Sequence, residues 1–195
     1  MSEDHHHDHG DGHDDQHHDD QHHGDQHSHS DHDDQHHHGT DETLDFAVLT
    51  ISSSRSSDDD ESGPVAVEAI EDAGHAVAET GVVTDDEAAI RERVAALVGD
   101  VDVIVTTGGT GLTDDDVTIE AIRPLLDPEI PGVGEYFRRL SHEQVGTAAM
   151  LTRATAGIAG ETAIYAFPGS PDAIDLGVSE VLLPEVGHVV GLARR

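Results

Sequence analysis

A β-branched run, VDVIVTT at residues 101–107, leads directly into the glycine-rich sequence GGTGLTDDD. Such an apolar run is typical of a central strand in a parallel sheet, which is covered on both faces. Strand and helix patterns alternate along the whole chain from Leu44 to Arg195. Because parallel neighbours are joined by helical crossovers, this alternation predicts a three-layer αβα domain with a mostly parallel sheet.

Local signals predict several helix boundaries. Thr84 and Glu87 have the spacing of a capping box, and Gly99 follows the apolar face of the same helix. Ser170 and Pro171 occupy the predicted N-cap and first position of a final helix. The apolar face of that final helix is formed by Ile174, Val178, Val181 and Leu182.

The segment 1–43 differs in composition from the predicted domain at 44–195. It consists almost entirely of His, Asp, Gln, Gly and Ser, and it holds 15 of the 18 histidines. It has no hydrophobic periodicity, which predicts a disordered low-complexity tail. Imidazole and carboxylate groups bind transition metals, so weak binding is expected at tail histidines. A solvated tail with incidental metal affinity and a metal-storage or metal-delivery role both remain open. The expected weak ligands are His5, His6, His7, His36, His37 and His38.

The charge of the chain is strongly negative. The net charge is −33, and all nine basic residues are arginines. From Leu44 onward 28 acids face these nine arginines, which leaves −19 on the predicted domain. Such a charge argues against nucleic acid and anionic membrane surfaces as partners. The absence of lysine favours a halophilic protein over an ordinary acidic one.

We expect the stability of the domain to rise with salt. At about 1 M salt the Debye length falls to about 3 Å, which screens the self-repulsion of the acidic surface. A series of melting curves from low to molar KCl should therefore show a rising Tm. A flat or falling series would contradict the halophilic interpretation.

Three absences bear on the cellular setting. The chain has no cysteine, which excludes disulfides and thiolate chemistry. No apolar run approaches the roughly 20 residues of a membrane span, and the N-terminus lacks the features of a signal peptide. These observations predict a cytoplasmic protein.

The loop GGTGLTDDD permits two interpretations. Gly108, Gly109 and Gly111 would let backbone N–H groups approach one anion, and Thr110 would add a hydroxyl. An aspartate such as Asp116 beside that anion is reasonable if Mg²⁺ lies between them, since Mg²⁺ takes oxygen ligands and borrows others from phosphates. The alternative is a tight turn followed by an acidic helix start. Two other unusual loops, SSSRSS and FPGSP, also follow predicted strands, which favours one composite site at the carboxyl ends of the strands.

Four ordered segments carry a resemblance to a known family. TTGGTGLTDDDVTIEAI, EIPGVGEYFRRLS, AMLTRATAGI and FPGSPDAI together resemble the MoaB/MogA family of molybdenum cofactor biosynthesis, over essentially Leu44 to Arg195. The segments ISSSR and EYFRRLS are more similar to the MoaB branch. The resemblance implies a molybdopterin-binding fold in a homo-trimer or homo-hexamer. It also implies Mg²⁺- and ATP-dependent adenylylation of molybdopterin, with a separate molybdate insertase receiving the product.

The resemblance further implies the residues of the site. Asp116 corresponds to the acid of an element similar to RDVT and is expected to hold Mg²⁺, with Asp85 as a second acidic position. Independently of the resemblance, Arg55 and Arg153 are candidates for anion contacts, because the acidic chain has few bases and arginine suits phosphate. The alternatives are that Arg55 neutralises the nearby acids 58–60 and that Arg153 forms an ion pair at a strand start. The residues expected to bind the substrates are Ser52, Ser53, Arg55, Gly108, Gly109, Thr110, Gly111, Thr152, Arg153, Pro168, Gly169 and Ser170.

The chain departs from the family pattern at three positions. Ser53 stands where an aspartate is common, Thr152 where serine is common, and Asp115 where a basic residue is common. Two alternatives to an adenylyltransferase stay open: a paralogue that binds molybdopterin or its precursor without turnover, and a protein that buffers metal through the tail. Molybdenum and tungsten are equally compatible with the sequence.

Overall fold

The computed structural model describes residues 42–52 and 60–195. The tail histidines, Ser53 and Arg55 therefore lie outside the described residues. The strands are β1 (Asp45–Ile51), β2 (Ala76–Val83), β3 (Val103–Thr107), β4 (Thr155–Ala159) and β5 (Thr162–Phe167). The α-helices are α1 (Ser62–Asp72), α2 (Glu87–Leu97), α3 (Thr118–Ile122), α4 (Pro131–Val145), α5 (Pro171–Leu176) and α6 (Val186–Ala193). Short 3-10 segments cover Arg123–Leu125 and Gly146–Leu151, and a π-helical turn covers Gly177–Leu182.

The five strands form one sheet in the order β2-β1-β3-β5-β4. Strands β2, β1, β3 and β5 are parallel to one another, and β4 runs antiparallel to β5 at one edge of the sheet. Thr50 in β1 lies beside Thr107 in β3, which lies beside Phe167 in β5. The carboxyl ends of these strands therefore meet at one edge of the sheet.

Both faces of the sheet are covered by helices. Alternate residues of β1 enter two separate hydrophobic clusters: Phe46 packs in the cluster that includes residues of α1, α4, α5 and α6. Leu49 packs in the cluster that includes residues of α2 and α3. This alternation confirms the three-layer αβα fold and the mostly parallel sheet, because side chains of a strand point alternately to its two faces.

Two predicted helix details differ in the structure. Thr84 does not cap α2; the helix begins at Glu87, and the side chain of Asp86 accepts a hydrogen bond from the N–H of Ala89 at 2.8 Å. The predicted final helix forms α5 and its π-helical turn, and a further helix that was not predicted, α6, follows it at an angle of 64°. Pro184 lies at the break, where its ring and missing N–H prevent a continuous helix.

Helices long and apolar enough to cross a membrane were sought in the described part of the chain, and no single one qualifies. Within residues 42–52 and 60–195, one bent pair of helices, Pro171–Leu182 and Val186–Ala193, has sufficient length and apolar composition when taken together. Ile174, Val178 and Val190 of this pair are buried in the hydrophobic core.

Asp60 caps α1. Its Oδ1 accepts hydrogen bonds from the N–H of Ser62 at 3.0 Å and of Gly63 at 3.1 Å, and its Oδ2 accepts one from the Thr50 hydroxyl. Burial disfavours the charged carboxylate, but the hydrogen bonds from Thr50, Gly63 and Ser62 outweigh it and hold the pKa of Asp60 below its ordinary value. The charged side chain thus joins the end of β1 to the start of α1.

We expect Asp60→Ala to lower the free energy of unfolding by about 1–2 kcal/mol, the usual contribution of an N-cap. Because the folded pKa is depressed, this contribution is complete above the unfolded pKa of about 3.9 and is lost as the pH falls through the folded pKa. Urea unfolding at pH 7 in molar KCl measures the loss. Asp72→Ala, an exposed acid at the other end of α1, is the control and should cost nothing. Equal stabilities for Asp60→Ala and the unsubstituted protein would contradict the capping role.

Candidate functional site

The ends of the parallel strands carry the predicted site residues that the structure describes. Ser52 follows β1, and its N–H donates to the carbonyl of Val83 at the end of β2 at 2.9 Å. Asp85 follows β2 by two residues, and the loop 108–117 follows β3. Pro168, Gly169 and Ser170 join β5 to α5. The structure thus brings the predicted loops together at one edge of the sheet.

The glycine loop is held tightly against its neighbours. Gly108 and Gly109 have φ angles of +106° and +65°, a left-handed region that disfavours other residues. A Cβ on Gly108 would lie 2.4 Å from the carbonyl oxygen of Ile51, and one on Gly109 would lie 2.2 Å from Oγ1 of Thr118. The glycines are therefore required by close packing as well as by backbone conformation.

The expected use of every loop N–H as an anion donor is only partly supported by these contacts. The N–H of Gly108 donates to the carbonyl of Phe167 at 3.0 Å, so this donor already has an acceptor within the protein. The N–H of Gly111 contributes a hydrogen bond to the carboxylate of Asp116. The N–H groups of Gly109 and Thr110 donate to no other described residue. Two of the four N–H groups are therefore left without an acceptor among the described residues and remain available for an anion.

Asp116 is held in place by its own loop. Its Oδ2 accepts a hydrogen bond from the N–H of Thr113 at 2.9 Å and another from the Thr113 hydroxyl at 2.6 Å. Burial opposes ionisation, but the bonds from Thr113 and Gly111 and the charge of Arg153 outweigh it and hold the pKa of Asp116 below its ordinary value. A Cβ on Gly111 would lie 2.6 Å from Oδ2, so only glycine leaves room for this carboxylate. Asp116 is thus an ionised oxygen donor of fixed orientation.

Arg153 contacts the loop where the sequence predicted an anion contact. Its Nε donates to the carbonyl of Gly111 at 2.7 Å, one terminal nitrogen donates to the carbonyl of Asp116 at 2.5 Å, and the other pairs with Glu120. All three guanidinium nitrogens therefore bond to protein groups. The geometry makes Arg153 a support of the loop, and it includes an ion pair, the alternative that the sequence left open for this residue.

Hydroxyl groups line the space next to the loop. The hydroxyls of Thr110 and Thr152 lie 3.2 Å apart, and Thr152 also accepts a hydrogen bond from the N–H of Ala154 at 3.2 Å. Thr107, at the end of β3, donates to the carbonyl of Pro168 at 3.1 Å. A Cβ on Gly169 would lie 3.1 Å from the Cα of Gly108, so two of the predicted loops are in direct contact.

Two cavities adjoin at Asp116. The helix-side cavity, of about 350 Å³, is walled by α4, the segment 146–151 and the glycine loop. The strand-end cavity, of about 500 Å³, is walled by the ends of β1, β2 and β3 and includes Asp85. Both volumes are within the usual range of small-molecule sites. Residues that line both cavities are Gly109, Asp116, Gly169 and Ser170.

The walls of the two cavities differ in chemistry. The helix-side cavity has apolar side chains such as Phe137 and Leu151 together with the hydroxyls of Thr110, Ser141 and Thr152. The strand-end cavity has the carboxylates of Asp85, Asp115 and Asp116, and a larger share of its surface is polar. One cavity therefore suits a flat ring with polar edges, and the other suits a cation and its phosphate ligands.

Phe137 and Ser141 were not predicted as site residues. They lie one turn apart on α4 and are both buried, and both line the helix-side cavity. Their i, i+4 spacing with a hydroxyl on the buried face was the available signal, because a polar residue is unusual on such a face.

The donor set near Asp116 fits Mg²⁺ in kind. Asp85 and Asp116 are two of the three carboxylates that line the strand-end cavity, and hard oxygen ligands are the ones that Mg²⁺ prefers. Among the described residues there is no group of three or more His, Asp or Glu side chains that could hold a metal unaided. The pair therefore fits a cation that takes its remaining ligands from a substrate and from water.

Comparison with known proteins is consistent with this geometry. The sequence family described as a probable molybdopterin binding domain matches residues 47–188. The chain is 42% identical over 151 residues to molybdenum cofactor biosynthesis protein B of Bacillus subtilis, which covers 76% of this chain and 89% of that protein. Escherichia coli strain K12 has a protein of the same name that is 42% identical over 142 residues, covering 72% and 84%.

Solved structures give the same result. A crystal structure of molybdenum cofactor biosynthesis protein B superposes with a TM-score of 0.76 at 41% identity, covering 79% of this chain and 98% of that one. The tungsten cofactor synthesizing protein MoaB from Pyrococcus furiosus superposes with a TM-score of 0.68 at 38% identity, covering 79% and 99%.

Proposed function

The chain belongs to the molybdopterin-binding domain family of molybdenum cofactor biosynthesis, and from this premise we propose that it adenylylates molybdopterin with Mg-ATP. In this reaction an oxygen of the terminal phosphate of molybdopterin forms a bond to the α-phosphorus of ATP. The bond from that phosphorus to the bridging oxygen of the β-phosphate breaks, and pyrophosphate leaves. The products are adenylylated molybdopterin and pyrophosphate.

The observation that carries the proposal is that two cavities of different chemistry adjoin at Asp116. The apolar wall and hydroxyls of the helix-side cavity suit the pterin ring. The carboxylates of the strand-end cavity suit the triphosphate with its cation. Reacting groups that are bound on the two sides of one carboxylate lie next to each other, and such positioning supplies much of the acceleration of phosphoryl-type transfers.

Each group of the chain has a defined part in this proposal. The N–H groups of Gly109 and Thr110 would bind phosphate oxygens, since they donate to no other described residue. Asp116 and Asp85 would hold Mg²⁺, which when bound neutralises charge on the phosphates. The attacking phosphate is already nucleophilic, so the site needs no strong base. Thr110, Ser141 and Thr152 would orient the pterin through their hydroxyls.

The direct test is incubation of the protein with molybdopterin, ATP and Mg²⁺ in molar KCl. We expect one pyrophosphate to be released for each adenylylated molybdopterin formed, with the adenylylated product measured by chromatography. Binding of molybdopterin without product would identify a binding-only paralogue and would contradict the proposal.

We further propose that the chain acts as a homo-trimer or homo-hexamer and that a molybdate insertase receives its product.

The histidine-rich tail supports a second, separate function in metal binding. The tail holds 15 of the 18 histidines and no arginine, and imidazole is a good ligand for Ni²⁺ and Zn²⁺. We expect deletion of residues 1–40 to remove most Ni²⁺ or Zn²⁺ binding in isothermal titration and to leave adenylylation near its original rate. Loss of turnover upon deletion would instead show that the tail belongs to the site.

A further inference from the structure

The guanidinium of Arg153 contacts both ends of the loop that carries Asp116. Nε bonds to the carbonyl of Gly111 at the start, and a terminal nitrogen bonds to the carbonyl of Asp116 at the end. The backbone N–H of Arg153 also donates to the carbonyl of Thr110 at 2.8 Å. Arg153 thus binds three carbonyls of the loop. The carboxylate of Asp116, in contrast, is bound by Thr113, which is a residue of the loop itself.

Glu120 completes this arrangement. It pairs with the remaining terminal nitrogen of Arg153, from its place in α3. Burial opposes ionisation of Glu120, but the hydrogen bond and charge of Arg153 outweigh it and hold its pKa below the ordinary value. The pair fixes the plane of the guanidinium, and a planar fork with fixed orientation can bond two carbonyls at once in a way that the single ammonium of lysine cannot.

We propose that Arg153 and Glu120 are a positioning pair that orients Asp116 toward the cation, and that Arg153 does not bind the substrate anions itself. The inference rests on the proposed function, because it concerns the Mg²⁺ that accompanies ATP there. A misplacement of about 1 Å in such a group costs roughly 10²-fold in rate. Because the pair would orient a ligand of the cation, its loss is expected to weaken the binding of Mg-ATP and not the binding of metal-free ATP.

Isothermal titration of the full chain with Mg-ATP and with ATP in EDTA tests this inference without turnover. We expect the unsubstituted protein to bind Mg-ATP more tightly than metal-free ATP. Arg153→Lys, which retains the charge but not the fork, should weaken Mg-ATP binding about tenfold and leave metal-free ATP binding unchanged. Glu120→Gln should weaken Mg-ATP binding in the same way but less, about threefold.

The matched control is Arg93→Lys. Arg93 pairs with Glu79 at side-chain exposures of 36% and 44%, close to the 31% and 45% of Arg153 and Glu120. It lies on α2 and bonds to Glu79 on β2, whereas Arg153 bonds to the loop that carries Asp116. Its substitution should change neither affinity.

Three results would overturn the inference. Equal weakening of both forms of ATP by Arg153→Lys would make Arg153 a direct anion contact. No change in either variant would make the pair irrelevant to the site, and an unsubstituted protein that gains nothing from Mg²⁺ would leave no metal to orient. Should Arg153→Lys fold poorly, Glu120→Gln decides alone, since Glu120 is exposed. Absence of adenylylated product with the expected titrations would reject the proposed reaction and keep the positioning pair.

Discussion

Asp116→Asn is expected to lower the rate of adenylylation by about 10²–10³, with little change in stability. Asparagine keeps an oxygen that can accept the two hydrogen bonds from Thr113, so the loop retains its shape. The substitution removes the negative charge that would hold the cation, and loss of one preorganised electrostatic group typically costs this factor. The rate is measured by pyrophosphate release at saturating molybdopterin and ATP, and melting curves check that the variant folds.

The matched control lies two residues earlier in the same loop. Asp114 is exposed and lines neither cavity, so Asp114→Asn should retain nearly the full rate. It removes the same charge from the same acidic segment, and it therefore separates the position of Asp116 from the net charge of the loop. If Asp116→Asn were as active as the unsubstituted protein, the acidic segment would be only solvated surface.

Gly109→Ala is expected to abolish most adenylylation and to weaken nucleotide binding at least tenfold. At φ +65° a residue with a Cβ costs about 1–2 kcal/mol. The new methyl group would also lie 2.2 Å from Oγ1 of Thr118, whose hydroxyl donates to the carbonyl of Gly108 at 2.8 Å. The loop must therefore move, and the N–H groups of Gly109 and Thr110 move with it.

Two other glycines separate strain from function. Gly74 follows α1, lines neither cavity and has φ +87° with open space around its Cβ position, so Gly74→Ala should lower the free energy of unfolding by a similar amount, about 1–2 kcal/mol, and retain turnover. Gly132 has an open Cβ position in the first turn of α4, and Gly132→Ala should change neither quantity. Equal turnover in Gly109→Ala and Gly74→Ala would show that the loop does not need its close packing for activity.

Much of the fold could be predicted because its signals are local. The apolar run at 103–107 forms the central strand β3, and the buried residues Ile174, Val178 and Leu182 form the inner face of the final helical region. Hydrophobic patterning reports which side of an element is buried wherever the element lies in the fold. The wrong N-cap at Thr84 shows the limit of such signals, because several polar residues near a helix start compete and the backbone path selects one.

The candidate site was only partly predictable for a different reason. The positions of the loops follow from the parallel sheet, since such sheets bring the carboxyl ends of their strands to one edge. The roles of single groups within the loops depend on partners that are distant in sequence. The sequence left Arg153 open as an anion contact or an ion pair, and it could not show the bond to the carbonyl of Gly111, which is 42 positions away.

The sequence by itself therefore determined the order of strands and helices, the glycine loop after β3 and the family to which these segments are similar. Only the tertiary structure decided that the N–H of Gly108 is consumed by Phe167, that Arg153 supports the loop and that two cavities adjoin at Asp116. Periodicity and turn signals depend on neighbouring residues, so they can be read along the chain. Hydrogen bonds between loops depend on the register and packing of strands that are far apart in sequence, and these are fixed only when the sheet assembles.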